Sequence, residues 1–268
     1  MTYAGCIAVI STIMTAALTL STPALANFTS AQLAGISASP PPQAALPLAL
    51  SFEDDKGRSR TIGNTIGGVP AVVIFADFTC RTLCGPIVEF TAAGLAKTGL
   101  RPGLDYRLVV IGINPRDGID TAQAMRAQHI GPNDPVGRAT VFLSGGDADI
   151  RAATQAVGLH YAYDAEHDQY AHPAAAYVVD STGRVRRVMS PIGLDGGDLR
   201  LAIIDAGHGA VGGFADQLHL LCYGFDPAKG IYTERITTML GYAAGATLVI
   251  LAAGIFGMVA RQRRRAAT

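Results

Sequence analysis

The chain has few cysteines, and its charges balance. Its 268 residues include four cysteines, Cys6, Cys80, Cys84 and Cys222, and 21 basic and 21 acidic side chains give a formal net charge of +0. So few cysteines exclude a disulfide-rich scaffold, and the charge balance gives no indication of nucleic-acid binding. The sequence also has no internal repeat. With 49% hydrophobic residues, the chain is long enough for one medium-sized domain with a substantial core and additional segments.

The N-terminal region lacks positive charge, because no Lys or Arg precedes Lys56. Residues 3–20 are apolar with small hydroxyl residues among them, and Ala24-Leu25-Ala26 has the small-x-small pattern of a signal peptidase site. We therefore predict a signal peptide over residues 1–26. Since a signal peptide usually begins with a positively charged region, an uncleaved N-terminal anchor is the alternative.

Near the C-terminus, charge is missing over a longer stretch. Residues 236–260 include no charged side chain, and a helix of this length measures about 37 Å, enough to cross a hydrocarbon core of about 30 Å. The arginines of the segment 261–268 follow at once. The positive-inside rule places this basic tail in the cytoplasm and the main domain across the membrane from it. The pattern predicts a transmembrane helix over 236–260 and a domain in an oxidising compartment.

Short and long apolar segments alternate between these two ends of the chain. Short aliphatic runs are typical of buried strands, and longer periodic segments are typical of helices. Their order predicts an α/β domain over residues 45–206, with a central mixed sheet flanked by helices. An Ala- and Pro-rich linker over 27–44 precedes it, and a connector over 207–235 follows it. The predicted strands are 48–52, 58–62, 71–75, 108–113, 139–143, 174–179 and 184–189, and the predicted helices are 87–96, 118–129, 147–157 and 199–206.

Two cysteines follow the strand 71–75, in what the sequence indicates is the first turn of a helix. Cys80 and Cys84 are four residues apart, so on a helix they share one face with Cα atoms roughly 6 Å apart and can form a disulfide or bind one soft metal ion. A disulfide with so short a loop adds only about 2 kcal/mol of stability, against about 3 kcal/mol for a loop of fifteen residues. A structural disulfide is therefore a poor explanation of this cysteine spacing, and redox chemistry and metal binding both stay open.

The residues around this pair resemble a known family. A strand that ends in Phe, a Cys-x-x-x-Cys-x-Pro motif, and a histidine about ninety residues later, shortly before a Tyr that opens an aliphatic strand, are similar to the SCO1/SenC family of copper-handling proteins. The residues of this pattern are Phe75, Cys80, Cys84, Pro86, His172 and Tyr177. The resemblance covers residues 45–235 and implies a thioredoxin-like fold.

The resemblance also implies a function. Members of this family are membrane-anchored periplasmic proteins that bind copper through both cysteines and the histidine, here Cys80, Cys84 and His172. They deliver it to the copper centre of cytochrome c oxidase subunit II or to another copper-receiving oxidase factor. Two thiolates and an imidazole suit Cu(I), which prefers soft sulfur ligands, and with one more ligand they also hold Cu(II). Together with the positive-inside rule, the resemblance predicts a bacterial inner-membrane location, with the domain facing the periplasm and the C-terminus in the cytoplasm. A C-terminal span departs from the family, because most members have an N-terminal anchor.

The alternative function is enzymatic. In this interpretation Cys80 and Cys84 are the redox-active pair of a thiol-disulfide oxidoreductase, which reduces the cysteines of a copper-receiving partner. The more exposed Cys80 attacks the partner disulfide, and Cys84 resolves the mixed disulfide. His172 distinguishes the two functions, because copper binding requires it and dithiol exchange does not.

The chain departs from the family pattern at the cysteine motif. Members commonly have Cys-Pro-Asp-Val-Cys-Pro, whereas here Arg81 follows the first cysteine, Gly85 follows the second, and Asp77 stands where an aromatic residue is common. The charge of Arg81 favours a thiolate at Cys80, and the missing Pro and acidic residue are expected to change the redox poise. Asp77 either tunes proton or metal affinity or caps the loop before the helix, and we favour the cap.

Pro173 gives a prediction about geometry. It stands directly before a strand, where thioredoxin-like folds often have a cis-proline that faces the cysteine pair. This position places His172 and Pro173 opposite Cys80 and Cys84.

Other conspicuous side chains have no metal-ligand spacing. The histidines that we expect on the surface are His129, His160 and His167. Three tyrosines in the segment before His172 form either a partner-docking surface or an ordinary packed cluster. They are Tyr161, Tyr163 and Tyr170. We expect Cys222, in the connector, to be a buried thiol.

Overall fold

The structure is a computed structural model. It describes residues 35–80, 84–131, 133–165, 168–208, 211–213, 216, 220, 223–234 and 236–265. The chain divides into two units, residues 1–34, which lie outside the described residues, and residues 35–268. The predicted signal peptide therefore lies outside the described residues, and so do Arg81, His167 and Cys222.

Strands and helices alternate along most of the domain. The strands are β1 (Ser37–Ala38), β2 (Ser51–Asp54), β3 (Ser59–Thr61), β4 (Ala71–Ala76), β5 (Arg107–Gly112), β6 (Val141–Ser144), β7 (Leu159–His160), β8 (Ala162–Asp164), β9 (Gln169–Ala171), β10 (Ala176–Val179), β11 (Val185–Met189), β12 (Tyr223–Asp226) and β13 (Ile231–Glu234). The helices are α1 (Ile62–Ile66), α2 (Cys84–Lys97), α3 (Ile119–His129), α4 (Pro135–Ala139), α5 (Asp147–Ala156), α6 (Gly196–Ala206) and α7 (Ile236–Arg265), with a 3-10 helix at Pro191–Gly193. This alternation confirms the predicted α/β class.

One mixed sheet of seven strands lies at the centre. Its strand order is β11-β10-β4-β5-β6-β2-β3. Strands β4, β5 and β6 run parallel to one another, and every other neighbouring pair is antiparallel. Strand β4 is buried at all six positions. Because both faces of this strand are covered, its sequence is an uninterrupted apolar run.

The sheet separates two apolar cores. Alternate residues of β4 point to opposite faces. Val72 and Ile74 belong to one core with side chains of α2, α3 and α6, and Val73 and Phe75 belong to the other core with side chains of α1 and α5. Helices therefore cover both faces of the sheet, as the sequence predicts.

Two predicted hairpins are confirmed, and each has an aspartate in its turn. Between β2 and β3, the carboxylate of Asp54 accepts hydrogen bonds from the backbone N–H groups of Lys56 and Arg58, both at 3.0 Å. Between β10 and β11, the carboxylate of Asp180 accepts from the backbone N–H of Thr182 at 2.9 Å. In each turn, a short acidic side chain thus accepts hydrogen bonds from backbone N–H groups that strand pairing leaves without a partner.

The folded unit extends beyond the predicted bounds of 45–206 at both ends. Strand β1, in the predicted linker, pairs with β7, and Ala44 is buried. In the predicted connector, β12 and β13 form a hairpin whose Tyr232 belongs to the first core. The composition of these two segments predicts a linker and a connector. It does not reveal their packing, because the residues that they contact lie far away along the chain.

The segment predicted to cross the membrane is helical. Helix α7 has 30 residues and includes the whole of 236–260. Among the side chains that the structure describes, no helix is both long and apolar enough to span a membrane. The prediction of a helix here is confirmed, and the prediction that it spans a membrane is not.

Candidate metal centre

The cysteine loop leaves the sheet at the carboxyl end of β4. Cys80 is half-buried in the turn after this strand, and Cys84 is the first residue of α2 and is buried. Cys84 lies in the first turn of a helix, as predicted, whereas Cys80 precedes the described helix, and the residues between the two cysteines lie outside the described residues. The Cys80 N–H donates to the backbone carbonyl of Asp77 at 3.1 Å, and the Thr79 N–H donates to the Asp77 carboxylate at 3.0 Å.

His172 meets Cys84 although 88 residues separate them in sequence. Strand β10 runs antiparallel to β4, so the start of β10 lies beside the end of β4, where the cysteine loop begins. His172 lies in the loop between β9 and β10, and its Nε2 is 2.9 Å from the Sγ of Cys84. The predicted position of His172 opposite the cysteine pair is confirmed.

The imidazole of His172 is held in one tautomer. Its Nδ1 is 3.0 Å from the backbone carbonyl oxygen of Pro173, which only accepts hydrogen bonds. Nδ1 therefore carries the proton, and the lone pair of Nε2 faces the Sγ of Cys84. Histidines that bind metals commonly donate their other N–H in this way. The predicted cis-proline is wrong, because every peptide bond among the described residues is trans.

Burial and the second thiol keep Cys84 protonated. A hydrogen bond with Cys80 raises the pKa of the Cys84 thiol, and burial and the charge of Cys80 raise it further. Burial lowers the pKa of His172, so its imidazole is neutral at pH 7. A neutral imidazole offers its lone pair to a metal ion directly, whereas Cys84 has to release a proton when a metal ion binds.

The buried carboxylate of Asp77 joins three segments around this site. It accepts hydrogen bonds from the backbone N–H and the hydroxyl of Thr79 at 3.0 and 2.7 Å, and from the side-chain amide of Asn114 at 3.3 Å. It also accepts from the backbone N–H of Tyr170 at 3.0 Å. Because Tyr170 is two residues before His172, this bond ties the histidine segment to the cysteine loop. The predicted loop-capping role of Asp77 is confirmed, and its link to the histidine segment was not predicted.

A second buried carboxylate lies beside the cysteine loop. Oδ2 of Asp117 accepts from the backbone N–H of Phe78 at 3.2 Å, and Oδ1 is buried with no hydrogen-bond partner among the described residues. Burial raises the pKa of Asp117 to about 7. Neither Asn114 nor Asp117 stands out in the sequence as a site residue, because polar residues that follow a buried strand fit a surface loop equally well.

We expect Asp117 to lower the stability of the domain as the pH rises from about 4 to about 7. In this window the unfolded carboxyl group, with an ordinary pKa of 3.8, has lost its proton, whereas the native group keeps it until the pH is about 7. The native state binds more protons, so the free energy of unfolding falls by up to about 1.4 kcal/mol per pH unit. Urea unfolding of the wild-type protein and of Asp117→Asn at several pH values measures this slope. An equal slope in both proteins contradicts the prediction.

His129 does not lie on the open surface as predicted. Its side chain is only 23% exposed and packs against Gly85, the residue after Cys84, where an added Cβ would be 2.1 Å from the His129 Nε2. His160 is exposed, as predicted. The glycine at position 85, a departure from the family pattern, thus leaves room for His129 beside the cysteine helix.

The three predicted tyrosines pack together on the β8–β9 hairpin. The ring centroids of Tyr161 and Tyr163 are 5.7 and 5.2 Å from that of Tyr170. Tyr163 is the most exposed of the three, at 48%. The packed cluster is confirmed, and its use for docking a partner stays a prediction.

The assembled part of the predicted copper site is the contact between Cys84 and His172. Within the described ranges, no group of three or more His, Cys, Asp or Glu side chains has the arrangement of a metal site. The available donors are two sulfurs and one imidazole nitrogen, a soft set that fits copper. Copper binding by Cys80, Cys84 and His172 stays a prediction.

The fold and the site define an α/β protein with a mixed sheet and a dithiol facing a neutral imidazole, consistent with a thioredoxin-like fold. The family model described as SCO1/SenC matches residues 41–196. This chain belongs to the SCO1/SenC family, which confirms the resemblance seen in the sequence. A comparison with curated proteins finds no match.

Solved structures include similar folds. A candidate electron transfer protein of Aquifex aeolicus VF5 has a TM-score of 0.54 and 15% identity, and the match covers 65% of this chain and 97% of that one. The copper-bound ScoI of Bradyrhizobium japonicum has a TM-score of 0.45 and 19% identity, and the match covers 59% of this chain and 96% of that one. Copper-bound Sco1 of yeast has a TM-score of 0.46 and 15% identity, and the match covers 67% of this chain and 99% of that one. The first of these supports the fold, and at these identities none assigns a function to this chain.

Proposed function

We propose that this protein is a copper chaperone that binds copper through Cys80, Cys84 and His172. The observation that carries the proposal is the 2.9 Å contact between the Cys84 Sγ and the His172 Nε2. The fold brings these atoms together from distant parts of the chain. The hydrogen bond from Nδ1 to Pro173 leaves the Nε2 lone pair available to a metal ion.

The arrangement suits transfer as well as binding. Cu(I) accepts two or three soft ligands, so a site with two sulfurs and one nitrogen has room for an incoming ligand from a partner. Cys84 is buried and Cys80 is half-buried. Exchange through a shared intermediate therefore begins at the Cys80 side of the site, while Cys84 and His172 hold the ion from within.

Family membership and the copper bound to other Sco proteins support copper as the cargo. The recipient that we propose is the copper centre of cytochrome c oxidase subunit II, or another copper-receiving oxidase factor. The exposed Tyr163, on the hairpin that leads to His172, is a candidate contact for this partner.

The proposed location is a bacterial inner membrane, with the domain in the periplasm and the C-terminus in the cytoplasm. It rests on the sequence, namely the export signal over 1–26, the uncharged segment 236–260 and the arginines after it. In that compartment a bound metal or a reductant is needed to keep the two thiols from oxidising.

The second candidate function is thiol-disulfide exchange, which the difference in burial between the two cysteines favours. The accessible Cys80 thiolate attacks a partner disulfide and forms a mixed disulfide, and one partner sulfur leaves as a thiolate. Cys84 then gives up its proton, attacks Cys80 and releases the second partner sulfur. The partner is reduced, and the Cys80–Cys84 pair is oxidised to a disulfide.

Anaerobic metal analysis of the reduced full chain tests the proposed function. We expect one copper ion per chain after incubation with Cu(I) and gel filtration, and none in Cys84→Ser, which lacks the buried sulfur ligand. A wild-type protein that retains no copper but reduces a test disulfide rapidly would contradict the chaperone function and support the oxidoreductase.

A further inference from the structure

A cluster of arginines surrounds a small cavity at the end of the sheet opposite the cysteine loop. The cavity has a volume of about 200 Å³ and lies at the amino-terminal ends of β5 and β6, whereas the cysteines follow the carboxyl end of β4. We call it the arginine cavity. Its charged lining residues are Asp54, Asp55, Lys56, Arg58, Arg60, Arg107, Arg126 and Arg138.

Positive charge exceeds negative charge around the arginine cavity. Six of these side chains are cationic and two are carboxylates. Asp54 forms ion pairs with Arg58 at 2.8 Å and Arg60 at 2.7 Å. Burial alone would raise the pKa of Asp54, but hydrogen bonds from these arginines and from the backbone hold it far below its usual value. Asp54 is therefore ionised and already fully engaged.

Three of the six cations around the cavity form no ion pair with Asp54 or Asp55. The carboxylate of Asp55 pairs with Arg126 at 2.7 Å. Lys56, Arg107 and Arg138 have no carboxylate within ion-pair distance among the residues that the structure describes. Three uncompensated charges around one small cavity repel one another, and an anion between them would relieve this repulsion.

Arg107 supplies an independent observation. It is the first residue of β5, and its Nε is buried without a hydrogen-bond partner in the described part of the chain. A buried donor without an acceptor destabilises the folded state. An oxyanion in the cavity would supply the missing acceptor, and guanidinium groups recognise such oxygens with paired N–H groups.

We propose that the arginine cavity binds a small dianionic oxyanion of the phosphate class, either inorganic phosphate or a small phosphomonoester. The net positive charge excludes a metal cation. The volume excludes a large ligand, because pockets for drug-sized molecules measure roughly 300–1,000 Å³. The exposed amide of Asn64 also lines the cavity and can donate a further hydrogen bond to the anion. This site is separate from the cysteine pair and does not depend on the proposed copper function.

Isothermal titration calorimetry with inorganic phosphate tests the proposal on the full chain, with chloride balancing the ionic strength. We expect the wild-type protein to bind one phosphate per chain. Arg107→Gln combined with Arg138→Gln should weaken binding at least about tenfold, because two charge-assisted contacts are lost. Arg138→Gln alone keeps the test valid if the double variant does not fold, because this exposed side chain can be changed without disturbing the core.

Arg151→Gln is the matched control. Arg151 lies on α5 and pairs with Asp147 away from the cavity, so its loss should leave phosphate affinity within about twofold. Parallel titrations with glycerol phosphate distinguish the two proposed ligands. Tighter binding of glycerol phosphate indicates a phosphomonoester, and tighter binding of inorganic phosphate indicates the free ion. The absence of phosphate binding to the wild-type protein, or equal affinity in the wild-type protein and the folded Arg138→Gln variant, would overturn the proposal.

Discussion

His172→Ala is expected to weaken copper binding by more than about 100-fold and to leave dithiol exchange nearly unchanged. Groups that merely support a metal ligand are worth about 10–100-fold in affinity, so the loss of the ligand itself should cost more. Thiol exchange needs the two sulfurs but no imidazole nitrogen. The variant therefore separates the two candidate functions within one protein.

Competition with a chelator of known Cu(I) affinity measures the first quantity, and the rate of reaction with a small disulfide measures the second. His160→Ala is the matched control, because this histidine is exposed on β7 and has no role in the site. Unchanged copper affinity in His172→Ala would show that His172 is not a ligand. A large loss of exchange rate in the same variant would show that the imidazole takes part in the thiol chemistry.

Asp77→Ala is expected to destabilise the domain by about 3 kcal/mol or more and to weaken copper binding as well. The substitution removes the charged acceptor of the backbone N–H groups of Thr79 and Tyr170, and each hydrogen bond to a charged group contributes about 1.5–3 kcal/mol. It also removes the bond that fixes the histidine segment against the cysteine loop. The three predicted ligands are then no longer held in one arrangement, which reduces affinity even in the folded fraction.

Asp180→Ala is the control for this prediction. Asp180 is also a buried turn aspartate, and its carboxylate accepts from Thr182 and Arg184, but it lies at the end of β10 far from His172. We expect both variants to unfold at lower urea concentration and only Asp77→Ala to lose copper affinity, measured on folded protein. A copper affinity that falls equally in both variants would mean that the loss reflects general destabilisation and not the contact with Tyr170.

The cysteine motif of this chain has its own packing environment. Gly85 is one of the residues at which the cysteine motif departs from the pattern that it resembles, and His129 occupies the space beside it. The two residues are a matched pair, because a larger residue at 85 needs the imidazole to move. The sequence motif marks this glycine only as a departure from the family pattern, whereas the structure identifies the side chain that lies against it.

Local sequence patterns determined the strands of the sheet and the general position of the site. The apolar runs at 71–75 and 108–113 appear as β4 and β5, and the turn aspartates mark two hairpins, because burial on both faces and turn geometry act through neighbouring residues. The spacing of Cys80, Cys84 and His172 carried the family resemblance.

Only the tertiary structure decided which distant polar groups meet. The contacts of Asp77 with Asn114 and Tyr170, the burial of Asp117, the packing of His129 on Gly85 and the arginines around one cavity join segments that are far apart in sequence. A polar residue after a strand looks the same in sequence whether it faces water or a second segment. Its burial, its partners and its pKa depend on strand order, which brings those segments together in space.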